Sequence, residues 1–182
     1  LGNSTVLTVA PYAATTPAAG PIAIPLGAPT STSGTAGPYP SAINVGGLPA
    51  SGVRVKSVNI NGISHTFPSD IDMLLQAPNG SYVILMSDRG GSADIVNANL
   101  VFDDAALTDL PNANIVSGTY RTTNLSAPDV FPAPGPGSVN QLNPRLSTFS
   151  GIFNGDWKLF INDQFAGDPG SITSWSITFE VN

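Results

Sequence analysis

Apolar and polar residues alternate along Val53-Arg54-Val55-Lys56-Ser57-Val58-Asn59-Ile60, and the same period of two returns in Trp157-Lys158-Leu159-Phe160-Ile161 and from Ser174 to Val181. Successive side chains of a strand point to opposite faces, so each run predicts a half-buried β-strand. Ile71-Asp72-Met73-Leu74-Leu75 and Tyr82-Val83-Ile84-Leu85-Met86 are two more predicted strands. Asn79-Gly80 between them is the turn of a hairpin, because both residues tolerate the positive φ that tight hairpins need. Asn99-Leu100-Val101-Phe102 predicts a further strand, and Asn61-Gly62 a turn. Many short strands and few helix signals predict an all-β chain folded as an antiparallel sandwich.

Two segments break this texture. Residues 1–20 form an N-terminal arm rich in Ala, Pro, Thr and Gly, in which Thr5 to Val9 is strand-like and Pro11 to Gly20 reads as linker. The arm is expected to lay that strand on an exposed sheet edge, either of its own domain or of a neighbouring copy. Residues 21–182 form the domain proper, with Ile22 to Ile24, bounded by Pro21 and Pro25, as an edge strand. A long, Pro-rich, irregular insertion is predicted at about 107–148, and loops of that length are usually functional or face a partner.

Composition narrows the function. The chain has 182 residues, enough for one domain with a core, and a net charge of −6 with only six Lys and Arg. No cluster of cations is present to displace counterions from nucleic acid or to hold an anionic membrane. No apolar run approaches the roughly 20 residues that cross a bilayer, so no membrane insertion is expected. Cys is absent, which excludes disulfides, thiolate metal sites and cysteine nucleophiles. The first residues carry no charged n-region, so no export signal is expected within the chain.

The acid is spent almost entirely as Asp: eleven Asp against one Glu, with six of the Asp between Asp70 and Asp104. Asp favours turns, caps and hard cations, and calcium takes six to eight oxygens from loops. Asp70, Asp72, Asp88, Asp94, Asp103 and Asp104 are therefore the candidate calcium ligands, with turn capping as the competing use. Asp156, Asp163 and Asp168 read as turn residues. His65, the single histidine, has no Gly-x-Ser-x-Gly elbow to serve and reads as a structural hydrogen-bonding residue. Trp157 and Trp175 read as core, leaving Tyr12, Tyr39, Tyr120 and Phe131 as loop aromatics open to a partner. Asn3-Ser4-Thr5, Asn79-Gly80-Ser81 and Asn124-Leu125-Ser126 are glycosylation sequons.

His65 to Gly91 (HTFPSDIDMLLQAPNGSYVILMSDRGG), Phe102 to Ala106, Gly118-Thr119-Tyr120-Arg121, Phe153 to Trp157, and the end from Asp163 through Gly167-Asp168 and Gly170 to Trp175 resemble the P domain of proprotein convertases. The similarity runs collinearly over about residues 22–182. It implies a jelly-roll β-sandwich with a tendency to bind calcium in its loops. In convertases this module follows a subtilisin-like catalytic domain and supports its folding. No protease half is present in this chain, so no catalytic residue is carried over.

The sequence thus predicts a secreted, non-catalytic, calcium-stabilised P-domain-like module. Its favoured role is structural: self-association into a filament or surface layer through the N-terminal strand, or attachment to a neighbouring domain of a larger extracellular protein. An accessory domain of a secreted subtilisin-like protease is the second reading. A carbohydrate-binding module, which would need a row of exposed aromatics, is the third.

Overall fold

The computed structural model describes residues 12–16, 18–28 and 33–182. Its strands are β1 (Tyr12–Thr15), β2 (Ile22–Ile24), β3 (Gly34–Thr35), β4 (Ser41–Val45), β5 (Val53–His65), β6 (Ile71–Gln76), β7 (Tyr82–Ser87) and β8 (Ile95–Phe102). They continue as β9 (Gly118–Tyr120), β10 (Thr123–Asn124), β11 (Asp129–Phe131), β12 (Gly137–Val139), β13 (Gly155–Asp163), β14 (Gly170–Ile172) and β15 (Ser174–Val181). Helix is limited to 3₁₀ turns at Pro68–Asp70 and Leu146–Thr148 among the described residues.

Thirteen of the strands form two sheets packed as a sandwich, and β11 and β12 pair apart from them. One runs β1-β15-β5-β14-β2, with β8 and β9 joined through β5; the other runs β10-β7-β6-β13-β3, with β4 also on β13. All pairings are antiparallel except β10 on β7 and β8 with β9, which are parallel. The core between the sheets includes Trp157, Trp175, Phe102, Phe179, Ile60 and Ile177, each at most 1% exposed. Both tryptophans are core residues, as the alternation predicts, and each satisfies its indole N–H: Trp157 on the Phe153 carbonyl at 2.8 Å, Trp175 on Ser41 Oγ at 2.9 Å.

Asn61-Gly62 is not a turn. Gly62 lies inside β5 at φ +63°, at a bulge where the register on β8 shifts between Ile60 and Ile63. The extra residue lets Ile60 and Ile63 both enter the core, which strict alternation forbids. Only glycine fits, since a Cβ there would lie 2.4 Å from Thr173 Oγ1. Its displaced N–H donates to Asn99 Oδ1 at 2.9 Å.

The insertion is not structureless. It contributes β9 to one sheet, β10 to the other and the β11–β12 hairpin, and it buries Leu110, Ile115, Phe131, Val139 and Leu146. Phe131 and Val139 cover Leu74, Ile84 and Phe160 in a second apolar cluster. Strands β6 and β7 are thereby packed on both faces, which explains why they read as continuous apolar runs. Phe131, expected as a loop aromatic facing a partner, is instead fully buried.

Residues 12–15, expected as linker, form β1 and pair antiparallel with β15 from Tyr12↔Val181 to Thr15↔Thr178. The Thr16 N–H continues the contact on the Ile177 carbonyl at 2.9 Å. The described part of the arm therefore caps an edge of its own sheet. The strand predicted at Thr5 to Val9 lies outside the described residues.

Candidate functional site: a carboxylate network beside a loop cleft

The six candidate ligands divide. Asp72 sits on β6 directly across from Ser87 on β7. Asn124 on β10 is the neighbour of Ser87 on its other side, and Asp129 opens β11. The Ser87 hydroxyl is 2.6 Å from Asp72 Oδ1, 2.5 Å from Asp129 Oδ1 and 3.4 Å from Asp88 Oδ2. The remaining oxygen of Asp129 accepts the Asn124 amide at 2.7 Å, and that of Asp72 accepts the Gln164 amide. Asp72 and Ser87 have no exposed surface, and Asp129 has 2%.

A hydroxyl has one proton to donate. It cannot donate to Asp72 and Asp129 together, so both contacts are satisfied only when one of these carboxyls carries a proton and donates to the serine oxygen. Burial, the larger cause, pushes Asp72 up to about 7; the charges of Asp129 and Asp88 add to this, against hydrogen bonds from Ser87 and Gln164. Burial likewise raises Asp129, again opposed by Ser87 and Asn124. The arrangement is a shared-proton lock that ties the insertion, through Asp129 and Asn124, to the sheet.

Ser87→Ala removes the bridging group and leaves two buried carboxyls without a common partner. A loss of about 1–3 kcal/mol is expected, larger at pH 8 than at pH 5, because the Ser87 hydrogen bonds favour the ionised carboxylates. Urea unfolding at the two pH values measures it. Equal losses at both would mean that the carboxyls do not share the serine proton.

The other candidates serve elsewhere. Asp103 pairs with Lys56 at 2.8 Å and accepts the Ala105 N–H at 2.9 Å. Asp104 caps the second 3₁₀ turn, accepting the Leu146 and Ser147 N–H groups at 2.9 and 2.8 Å. Both are the turn caps of the competing reading. Asp94 is solvent-exposed. No three His, Asp or Glu side chains among the described residues are arranged as a metal centre. Around Ser87 the carboxylate oxygens already meet protein donors, so the network as built does not fit a calcium cage.

Asp70, with Asp88 and Asp168, lines a cleft of about 650 Å³ at the same end of the sandwich. Phe67 and Ser69, the loop after β7, Leu125-Ser126 and the β13–β14 loop form its walls. Phe165 and Leu125 stand at its edge 61% and 46% exposed. Asp70 is itself nearly buried, and burial first, then the charges of Asp163 and Asp168, raise its pKa.

Behind Asp70, His65 and Asp163 are both buried, with Nε2 and Oδ2 3.6 Å apart. His65 Nδ1 accepts the Phe67 N–H at 3.2 Å, the structural hydrogen bond expected of it. Asp163, read as a turn residue, closes β13 inside the protein and accepts the Phe165 N–H at 3.3 Å. Asp129 has no counterpart in the sequence reading. Its only sequence signal is an acid at the head of the apolar Val130-Phe131 pair.

No family model matches the chain, and no curated protein matches it. Among solved structures it is similar to the serine protease of Aeromonas sobria, at 14% identity and a TM-score of 0.39, covering 96% of this chain and 28% of that one. A chain from the crystal structure of that protease with its chaperone gives 13% identity and a TM-score of 0.39, covering 94% of this chain and 27% of that one. The chain thus spans little more than a quarter of those chains, and a likeness at this level carries no functional weight.

Proposed function

We propose that the domain is a non-catalytic extracellular accessory module that holds a segment of a neighbouring domain in its loop cleft. The cleft carries this reading: three carboxylates line it, no Lys or Arg does, and Phe165 stands exposed at its edge. An acidic floor with an apolar rim suits a basic side chain on an apolar stem, because the stem packs while the charge is neutralised. A protease-associated role, as the P-domain resemblance implies, is the particular form favoured here. Assembly through the N-terminal strand is favoured less, since residues 12–15 are spent on their own sheet. A sugar platform is disfavoured, as Phe165 is the one exposed aromatic among the described side chains.

Blocked peptides Leu-Arg-Leu and Leu-Gln-Leu, titrated into the labelled chain by NMR, test the reading. The Arg peptide is expected to shift resonances around Asp70, Leu125 and Phe165, and Phe165→Ala with Asp168→Asn to weaken it. Equal response to both peptides would remove the proposal. Filaments that vanish when residues 1–20 are deleted would put assembly first.

A further inference from the structure

Two of the chain's six cations, Arg89 and Arg145, line one small polar pocket of about 120 Å³, and a third, Arg121, pairs with its Asp109. The pocket lies between the loop after β7, which supplies Arg89, the β10 segment, and the Leu142–Arg145 turn. Arg121 is committed: its Nε donates to Asp109 at 2.7 Å, and one Nη reaches the Ala106 and Leu107 carbonyls. That pair neutralises the one carboxylate lining the pocket. Arg145 donates a single bond, from Nη1 to the Pro144 carbonyl at 2.7 Å.

Arg89 is different. Its side chain is part-buried, and its Nε is enclosed without a hydrogen-bond partner. No hydrogen bond or ion pair among the described residues uses any of its other donors. A guanidinium has five N–H donors and cannot shed its charge, so a part-buried one with none satisfied costs free energy unless something else accepts them. Two of the neighbouring polar side chains are already spoken for. The Thr122 hydroxyl donates to the Pro144 carbonyl, and the Asn124 amide donates to Asp129 and the Gln141 carbonyl.

We propose that this pocket binds a carboxylate, held between the Arg89 and Arg145 guanidinium groups. Their fork geometry matches the two oxygens of a planar carboxylate. The volume admits one such group and excludes a nucleotide. On a surface of net charge −6, this is where an acidic ligand meets local positive charge.

The test uses the whole chain with ¹⁵N-labelled arginine. Acetate is titrated in while the four arginine Nε–H resonances are followed, with chloride at equal ionic strength as control. Saturable shifts at Arg89 and Arg145, with Arg54 unmoved on its Glu180 partner, support the site. Arg145→Gln is expected to weaken acetate about 10- to 100-fold, the worth of one charged hydrogen bond. A blocked Gly-Glu-Gly peptide separates the sources: tighter binding than acetate indicates a polypeptide-borne carboxylate, and weaker binding a free small acid. Shifts that chloride reproduces, that do not saturate, or that sulfate alone produces would overturn the proposal.

Discussion

Raising the pH from 5 to 8 is expected to destabilise this domain, although it is acidic and carries only a few cations. Asp72 has a pKa of about 7 in the folded protein against 3.8 when free, with burial as the main cause. A group whose folded pKa is raised binds its proton more tightly in the native state. Its contribution is fully present below the unfolded pKa and is lost as pH climbs through about 7. Asp129 and Asp70 are raised in the same direction, chiefly by burial. The groups that face Asp72 are Ser87 on β7, Gln164 beyond β13, Asp129 on β11 and Asp88 after β7. Of these only the two hydrogen bonds favour its charged form.

The swing for Asp72 is on the order of a few kcal/mol at most. Asp72→Asn isolates it. The asparagine oxygen still accepts from Gln164, and its amide donates to the Ser87 hydroxyl, which is then free to donate to Asp129. The variant is expected to match the parent at pH 5 and exceed it at pH 8, with most of the slope between them gone. Urea midpoints across pH 5–8 measure this. A parent whose stability rises with pH over that window would refute the shared proton.

Trp157→Ala is expected to cost about 3–5 kcal/mol, since truncating a buried tryptophan removes its transfer energy and leaves a cavity. The ring is fully buried, with Phe149, Phe179 and Phe153 at centroid distances of 5.0, 5.5 and 6.2 Å. Phe149 and Phe153 come from the chain just before β13, and Phe179 from β15 of the facing sheet, so the loss strikes the joint between sheets. At this chain length it corresponds to a fall of about 10 °C in Tm. Trp157→Phe retains most of the packing but strands the Phe153 carbonyl that accepts the indole N–H, and should lose less. Thermal unfolding followed by circular dichroism decides it. A loss under about 1 kcal/mol for the alanine variant would mean that the aromatic cluster does not hold the sheets together.

The proton lock shows how far a sequence carries. Asp70 and Asp72 were legible as a pair because strand period places alternate residues on one face. Their partners were not. Asp129 lies 57 positions beyond Asp72 in the chain, in a stretch whose prolines read as irregular, and only the parallel pairing of β10 with β7 brings it to Ser87. Asp103 and Asp104 show the limit from the other side. An acid pair at a strand end has the same local signature whether it holds a cation or caps a turn. The choice lay with Lys56, 47 residues earlier, and with the Leu146–Ser147 N–H groups, over 40 residues later.

The alternation of β5, β13 and β15, the hairpin at Asn79-Gly80 and the burial of both tryptophans follow from local rules: pleat period, turn stereochemistry and the drive to bury large apolar rings. These the sequence by itself determined, together with the all-β sandwich. Tertiary structure alone decided the bulge at Gly62, the burial of the insertion, the docking of residues 12–15 on β15, and which carboxylates meet at Ser87 and which arginine lacks a partner among the described residues. Each of these depends on contacts between residues far apart in the chain, where the energy of burial or of an unmet hydrogen bond outweighs local preference.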